Sequence, residues 1–416
     1  MHITGCRLTS ALLLLAASAV GAVPQWSQMG QPMQHANVVA LSSCLQGGTP
    51  TLAYGASDSP DDTTIYFMAY NGTGWEQVAT HTPQFAQPYE HFDLRCTGEA
   101  SGLYLGLVIN PSDSGAAGLS SILKRVPAGG GEDGFEGCYA FEGEVFDFVI
   151  TSQGDVRMAV VGAGNHSLGL TAYAKAGWNA YPASDTWGPT HTVVNSSAAA
   201  LTQVRMAAAG AGQVLVSFIS QGGAAPRLRV AQTTLAEGAQ WLDLGEPFAG
   251  AAGEALVAAP SGLAWVGGVP GAPTPLLCAA ATAASGASAL VACAAANGTA
   301  QWGSPVEALQ GGLLLAAAGA QLAAITTASR QRLLLVAALA EDRMAVHTAA
   351  CTVAAGAGSS SSCSSGSSWV QLGAIALGSA CNSFQLASNA SALFLTASIG
   401  PSDSTGDAVV AFQLAL

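Results

Sequence analysis

Residues 24–33 read PQWSQMGQPM, and part of this stretch returns far along the chain. The recurring phrase is a tryptophan, two variable residues, then leucine, methionine or valine, and finally glycine. WSQMG begins at Trp26, WLDLG at Trp241 and WVQLG at Trp369, while WEQVA at Trp75 lacks only the glycine. A phrase that recurs at wide intervals in one chain indicates an internal repeat.

The repeat has a period of about 50 residues, which is typical of β-propeller arrays. A second version of the phrase begins with WGP or WGS, and a phenylalanine in GFEGCYAFEG takes the place of the tryptophan that one unit lacks. Successive copies of the phrase then lie 49 to 67 residues apart, at Trp26, Trp75, Phe135, Trp187, Trp241, Trp302 and Trp369.

Each unit has the pattern of short β-strands. In QVLVSFIS the apolar residues Val214, Val216 and Phe218 alternate with other residues, as in a strand whose two faces differ. Glycine, serine, asparagine and aspartate, which favour turns, separate such segments. Four strands per unit, with the tryptophan strand outermost, correspond to one propeller blade.

Residues 317–350 offer a helical alternative, because they are rich in alanine and leucine. However, Gly311, Gly312 and Gly319 interrupt this part of the chain, which also occupies the place where other units have strands. We therefore expect an all-β protein with no helix across 307–350.

The repeat also predicts how the two ends meet. The last unit has three strands, whereas Trp26 supplies a lone outer strand behind the N-terminal leader. Pairing them gives a seven-bladed β-propeller closed by the N-terminal strand, which leaves no open sheet edge. We expect a signal peptide at 1–22 and one domain at 23–416, with blades at about 36–80, 90–140, 145–195, 203–248, 254–308, 312–375, and 382–416 plus 23–31.

The N-terminus indicates export. Arg7 precedes the apolar run SALLLLAASAV at 10–20, and small residues at 20–22 suit signal peptidase. The apolar run is too short to span a bilayer core of ~30 Å. We therefore expect a secreted, extracellular protein with no membrane span after cleavage of the signal peptide.

The charge balance excludes some partners. The chain has 12 lysines and arginines against 25 aspartates and glutamates, for a net charge of −13. An acidic surface repels nucleic-acid phosphates and anionic lipid headgroups. We expect a glycan or an extracellular protein as partner, and neither nucleic acid nor a membrane.

Eight cysteines remain after removal of the signal peptide, an even number that suits disulfide bonds. Cys278 and Cys293 flank a predicted hairpin, which would place them opposite each other, and Cys351 and Cys363 bracket a Gly/Ser-rich loop. Cys44, Cys96, Cys138 and Cys381 are left for two further bridges. A Cys44–Cys96 bridge is favoured, because both residues end inner strands.

Five Asn-x-Ser/Thr sequons also fit a secreted glycoprotein. Each could carry a glycan if it lies in an exposed turn. They begin at Asn71, Asn165, Asn195, Asn297 and Asn389.

The blade phrase W-x-x-[LMV]-G resembles that of secreted propellers of the sialidase-like and fucose-lectin-like kind, over nearly all of the mature chain. The resemblance implies a carbohydrate-related propeller.

Sialidases also carry an Asp box, S-x-D-x-G-x-T-W, before the outer strand. The equivalent turns AYNGTGW, LAEGAQW, ANGTAQW and SGSSW lack the aspartate, although Gly72 keeps the glycine of the box. This departure argues against sialidase activity, and the absence of Trp-Asp endings argues against a WD40 propeller.

A Ser-Asp-Ser phrase recurs in three predicted loops on one face, at Asp58, Asp113 and Asp403. Carboxylates and loop carbonyls suit either calcium or sugar hydroxyls, so these residues are candidate ligands. Asp61 and Asp62 would add to a calcium site next to Asp58. The alternative is that the phrase only makes good hairpin turns.

Arg95, Arg157 and Arg205 fall near inner strands of three successive units. The sialidase resemblance implies a cluster of three arginines that binds a carboxylate of the ligand, because a guanidinium group can form bidentate hydrogen bonds with a carboxylate. The alternative is ion pairing with nearby carboxylates such as Asp93 and Asp155. Motifs of zinc peptidases, α/β-hydrolases and redox dithiols are absent from the sequence.

Three functional hypotheses follow. The first is a non-catalytic propeller that binds a carbohydrate ligand, with calcium as the one cofactor that the sequence suggests. The second is a sialidase-like glycoside hydrolase. The third is a structural or adhesive component of an extracellular matrix or cell surface.

Overall fold

The computed structural model describes the β-rich parts of the chain and the turns that join some of them. These are residues 25–35, 37–59, 62–82, 89–96, 103–109, 119–125, 135–142, 145–150, 156–161, 167–173, 191–195, 200–208, 213–221, 227–234, 241–248, 257–269, 272–282, 289–295, 302, 306–309, 315–326, 332–353, 363, 369–388, 393–400 and 407–414. The expected signal peptide lies outside them. No helix in these ranges is long and apolar enough to span a membrane.

The chain starts with two short strands, β1 (Trp26–Gln28) and β2 (Met33–Gln34). The first sheet follows with β3 (Val38–Gln46), β4 (Thr49–Ser59), β5 (Asp62–Tyr70) and β6 (Trp75–His81). The second has β7 (Tyr89–Cys96), β8 (Leu103–Ile109), β9 (Leu119–Arg125) and β10 (Phe135–Glu142). The third has β11 (Val145–Ile150), β12 (Val156–Val161), β13 (Ser167–Tyr173) and β14 (His191–Asn195).

The fourth sheet has β15 (Leu201–Ala208), β16 (Gln213–Ser220), β17 (Arg227–Thr234) and β18 (Leu242–Gly245). The fifth has β19 (Val257–Val269), β20 (Ala272–Thr282), β21 (Ala289–Ala295) and β22 (Val306–Glu307). The sixth has β23 (Leu315–Thr326), β24 (Arg332–Ala340), β25 (Ala345–Val353) and β26 (Val370–Ala376). The seventh has β27 (Cys381–Ser388), β28 (Leu393–Ile399) and β29 (Ala408–Leu414).

Within the described residues these strands form seven antiparallel sheets, each a meander of neighbouring strands. The expected all-β class is confirmed, and the alanine-rich region that also favours helix forms strands β23 to β25. The first strand of each sheet contacts the first strand of the next: β3 with β7, β7 with β11, β11 with β15, β15 with β19, β19 with β23, β23 with β27, and β27 with β3.

The N-terminal segment completes the seventh sheet. Strand β1 pairs with β29 in antiparallel register, with Trp26 opposite Leu414. Strand β2 pairs with the start of the same strand, with Met33 opposite Val409. The sequence predicts the first of these strands but not the second, because two residues are too few to show an alternating pattern.

The core consists of apolar clusters between neighbouring sheets. Ile65, Phe67 and Leu94 pack between the first and second sheets, and Val161 and Phe218 belong to a cluster between the third and fourth. Alternate residues of each strand supply these contacts, since successive side chains point to opposite faces. The sheets are therefore held together face to face by burial of apolar surface.

The repeated tryptophan phrase has a structural role at the outer strands. The indole N–H of Trp75 donates to the carbonyl of Met29 at 2.9 Å, and that of Trp302 donates to the carbonyl of Leu244 at 2.6 Å. Both acceptors are the fourth residue of the phrase in the preceding sheet, and both side chains are buried. The phrase thus ties each of these outer strands to its neighbour.

The glycine of the phrase has a left-handed backbone. The φ angle is 68° at Gly30, 79° at Gly245 and 97° at Gly373. Residues with a Cβ adopt this region rarely, which explains why the phrase ends in glycine. Gly30 also lies against the Trp75 ring, where a Cβ would come 3.3 Å from Cδ1.

Candidate functional site

Polar side chains lie next to each other on the first strands of neighbouring sheets. They are Gln385 on β27, Ser42 on β3, Asp93 and Arg95 on β7, and Asp147 on β11, and we call them the inner belt. Their sequence context repeats in Phe92-Asp93-Leu94, Phe146-Asp147-Phe148 and Phe384-Gln385-Leu386. A polar residue between two large apolar ones puts its side chain on the opposite face of the strand from both.

Arg95 is at the centre of the inner belt. Its Nη2 forms ion pairs with Asp93 Oδ2 at 2.6 Å and with Asp147 Oδ1 at 2.9 Å. Its Nη1 donates to Asp93 Oδ1 at 3.0 Å, and its Nε donates to the carbonyl of Phe148 at 3.2 Å. Burial disfavours the guanidinium charge, but Asp93 and Asp147 outweigh it and raise the pKa of Arg95. All three guanidinium nitrogens are therefore used within the protein.

Asp147 is the most enclosed charged group of the inner belt, with 1% of its side chain exposed. Its Oδ1 also accepts from the backbone N–H of Phe148 at 2.8 Å, and its Oδ2 accepts from that of Met206 at 2.7 Å. Burial raises the pKa of this carboxyl, whereas Arg95, Arg205 and the Met206 N–H act in the opposite direction. Asp147 thereby joins the second, third and fourth sheets.

The uncharged members extend the same network to the seventh sheet. The hydroxyl of Ser42 lies 2.8 Å from Asp93 Oδ1 and 3.1 Å from Gln385 Oε1, and accepts the backbone N–H of Leu94 at 2.8 Å. Gln385 Oε1 also accepts the backbone N–H of Ser43 at 3.2 Å. A continuous set of hydrogen bonds therefore crosses five neighbouring sheets.

The three arginines expected from the sequence have different environments. Arg205 on β15 is half-buried next to the inner belt, and within the described residues it donates one hydrogen bond, from Nη1 to the carbonyl of Val204 at 3.3 Å. Arg157 lies one strand further from the belt, on β12 opposite Val149. Arg95 is ion-paired with Asp93, which agrees with the alternative that these arginines pair with nearby carboxylates. Its second partner is Asp147. Asp155, the other carboxylate in that alternative, lies outside the described residues.

Sequence reasoning missed Asp147, Ser42 and Gln385. The signal that could have found the two larger residues is the repeated phrase of a polar residue between two large apolar ones. Ser42 has no such signal, because serine is common throughout this chain. Nothing in the sequence states that the Asp147 carboxylate meets a guanidinium from the preceding sheet, 52 residues earlier.

Most of the aspartates predicted as calcium or sugar ligands lie outside the described residues. Asp58 and Asp62 lie in β4 and β5, but their side chains are not described, and Asp61, Asp113 and Asp403 lie outside the described residues. In the part of the chain that the structure describes, no three His, Cys, Asp or Glu side chains group as metal ligands would. A site at these loops stays a prediction.

Within the described residues there are three disulfide bonds, and they are the three pairs expected from the sequence. Cys44–Cys96 joins the first strands of two sheets, Cys278–Cys293 crosses the β20–β21 hairpin, and Cys351–Cys363 holds the start of the Gly/Ser-rich segment. The further bridge expected for the remaining cysteines is not formed by Cys381, which is buried with a free thiol. Burial raises the pKa of that thiol to about 12. The side chain of Cys138 lies outside the described residues.

One sequon is described in full. Asn71 is exposed in the turn between β5 and β6, where its Oδ1 accepts from the N–H and hydroxyl of Thr73 and from the N–H of Gly74, each at 2.9 Å. Asn195 ends strand β14, but its side chain is not described. Asn165, Asn297 and Asn389 lie outside the described residues.

The fold is similar to that of several solved carbohydrate-active proteins. Polysaccharide lyase Uly1 aligns with a TM-score of 0.50 and 10% identity, over 91% of this chain and 90% of its own. A sialidase from Trypanosoma rangeli aligns with a TM-score of 0.48 and 8% identity, and this chain spans 60% of its length. An alpha-L-arabinofuranosidase from Fusarium graminearum aligns with a TM-score of 0.46 and 10% identity, over 94% of this chain and 98% of its own.

At these identities the similarity concerns the fold alone, and the chain has a propeller-like, all-β fold. No family model matches the chain, and no curated protein sequence matches it.

Proposed function

We propose that this protein is a secreted, seven-bladed propeller, closed by its N-terminal strand, that binds carbohydrate without catalysing a reaction on it. The single observation that carries the proposal is the arrangement of Arg205 next to the inner belt. Arg205 is half-buried and its guanidinium donates one hydrogen bond within the described residues, so it has donors to offer a ligand. The seven sheets and the pairing of β1 with β29 support the closed ring.

Arg205 suits a sugar ligand because a guanidinium presents several donors in a rigid plane, which match hydroxyl or carboxylate oxygens. Because the Arg205 side chain is partly buried, it loses less conformational entropy when a ligand binds. Arg95 does not serve this role, since Asp93, Asp147 and Phe148 take up its donors. The name of the similar lyase, which refers to polysaccharides, fits a carbohydrate ligand.

The enclosure of the belt carboxylates supports binding without catalysis by these two groups. The side chains of Asp93 and Asp147 are 9% and 1% exposed, and their oxygens accept from arginine, serine and backbone donors. A general acid or base must reach the proton that it transfers, directly or through one water. These two groups instead fix the position of the first strands.

A glycan array probed with the purified chain tests this proposal, with and without calcium. We expect binding to a restricted set of glycans, and at least a ~10-fold loss of affinity in Arg205→Lys, which keeps the charge but loses the planar fork. Arg227→Lys is the matched control, because Arg227 forms an exposed ion pair with Glu246 and should bind like the wild type.

Two outcomes would overturn the proposal. Silence of the folded chain on the whole array would remove carbohydrate binding. Hydrolysis of fluorogenic glycosides by the folded wild-type chain would replace binding without catalysis with the glycoside hydrolase alternative.

A further inference from the structure

The turn between β5 and β6 contains the sequon Asn71-Gly72-Thr73, whose three residues all belong to the described part of the chain. Asn71 is exposed, and its backbone N–H donates to the carbonyl of Gly74 at 3.0 Å, which closes the turn. Its side-chain Oδ1 accepts from the N–H and the hydroxyl of Thr73 and from the N–H of Gly74, each at 2.9 Å. The side-chain carbonyl of Asn71 therefore makes the hydrogen bonds that shape the turn, and they do not involve its side-chain nitrogen.

The side-chain nitrogen, Nδ2, is the atom to which an N-linked glycan is attached at a sequon. In the structure it donates to the carboxylate of Glu76, which is also exposed. An asparagine amide nitrogen carries two hydrogens, so a sugar can replace one of them while the other keeps the bond to Glu76. Attachment of a glycan at Nδ2 is therefore compatible with every hydrogen bond described for Asn71.

The turn also offers room for a large substituent. A Cβ placed on Gly72 or on Gly74 would meet no atom of the described residues within 4 Å. N-linked glycans are bulky and lie at the protein surface, so they need such space. The turn itself is held in place, because the Tyr70 hydroxyl donates to the carbonyl of Gly72 at 3.1 Å and the Tyr70 ring packs against Trp75 with ring centroids 5.3 Å apart.

We propose that Asn71 carries an N-linked glycan in the secreted protein. The transfer forms a bond from Nδ2 to C1 of the first N-acetylglucosamine. It breaks the bond from that C1 to the diphosphate of a polyprenyl-diphosphate oligosaccharide, the donor that the secretory pathway supplies. Nδ2 gives up one proton, and the polyprenyl diphosphate leaves. This inference rests on the secretion included in the proposed function and not on the binding of carbohydrate.

The turn lies on the far side of its sheet from the candidate ligand site. Strand β6 is at the opposite edge of the first sheet from β3, whereas the first strands of neighbouring sheets contact one another and carry the inner belt and Arg205. A glycan at Asn71 would therefore leave the inner belt free and lie beside the outer edge of β6. An edge strand is a template for pairing with another chain, and a bulky sugar beside it hinders such pairing.

Mass spectrometry of the full chain, expressed in eukaryotic cells and collected from the medium, provides the first test. Peptide:N-glycosidase in ¹⁸O-labelled water converts a glycosylated asparagine to an aspartate that carries ¹⁸O, which marks the residue that held the glycan. We expect this label on residue 71 in most secreted molecules. An unlabelled residue 71 in the secreted chain would overturn the proposal and leave the proposed function intact. Absence of the chain from the medium would overturn secretion itself, and this inference with it.

Two substitutions of Thr73 provide the matched comparison. Thr73→Val has a similar shape but lacks the hydroxyl that a sequon requires, whereas Thr73→Ser keeps a hydroxyl. We expect Thr73→Val to abolish the label on residue 71 and to lower the mass of the secreted chain by one glycan, and Thr73→Ser to change neither. A label on residue 71 that persists in Thr73→Val would show that it comes from spontaneous deamidation of Asn71 next to Gly72, and would overturn the assignment of a glycan.

Discussion

At the scale of single residues, the inner belt explains how charged groups are accommodated in an apolar core. Asp147 accepts hydrogen bonds from the backbone N–H groups of Phe148 and Met206 and forms an ion pair with Arg95. Removing Asp147 would break this buried pair, leaving Arg95 with Asp93 alone, and would also leave the two backbone N–H groups without an acceptor. The belt is therefore sensitive to loss of any one charged member.

We expect Asp147→Ala to lower the free energy of unfolding by about 3–5 kcal/mol, the range for breaking a buried ion pair. Chemical denaturation of the variant and the wild type measures this difference. Arg227→Ala breaks an exposed pair, in which the Arg227 side chain is 63% exposed, and should cost about 1 kcal/mol or less. Equal effects of the two substitutions would mean that the belt has no special role in stability.

At this scale the sequence indicated the arginines but not their environment. Arg95, Arg157 and Arg205 all fall near inner strands in the sequence, yet Arg95 is ion-paired, Arg157 lies on a second strand, and Arg205 donates one hydrogen bond within the described residues. The difference depends on Asp147, whose approach to Arg95 is set by how two sheets pack. Such contacts between distant segments leave no local pattern in a single sequence.

At the scale of elements, the tryptophan phrase is the unit that the chain repeats. Trp75 and Trp302 donate to the buried fourth residue of the phrase in the preceding sheet, Met29 and Leu244, and the glycine of the phrase has a left-handed backbone. The strands between successive phrases are predictable because their apolar residues alternate. Strand β2 and the exact ends of strands are less predictable, because pairing with a distant strand decides them.

Gly245→Ala tests the role of the glycine. A Cβ at Gly245 meets no atom within 4 Å, so its cost comes from the φ of 79° alone. We expect a loss of about 1–2 kcal/mol in the free energy of unfolding, the usual penalty for a left-handed residue with a side chain.

Gly74→Ala is the matched control for that substitution. A Cβ at Gly74 also meets nothing within 4 Å, and its φ is not in the left-handed region. Its effect should be within about 0.5 kcal/mol of zero, as for most surface substitutions. A loss at Gly74 as large as that at Gly245 would contradict the role of the left-handed backbone in the phrase.

At the scale of the whole molecule, the account depends on how the two ends of the chain meet. The strand that contains Trp26 lies at the front of the sequence but pairs with β29 at its end. Met29 is buried, its N–H donates to the carbonyl of Ala411 at 2.8 Å, and its carbonyl accepts from Trp75. The sequence predicts this pairing because the last unit lacks a fourth strand, and the repeat supplies one at the front.

The central claim is that this N-terminal strand closes the ring of sheets on which the proposed binding site depends. The most direct test is thermal and chemical unfolding of a chain of residues 23–416 and of the same chain without residues 23–31. The account predicts a loss of about 5 kcal/mol or more on deletion, from the exposed edge of β29 and the lost burial of Met29 and Trp26. A synthetic peptide of residues 23–34 should restore much of this stability. Unfolding of the truncated chain at the wild-type midpoint, with no response to the peptide, would contradict the claim.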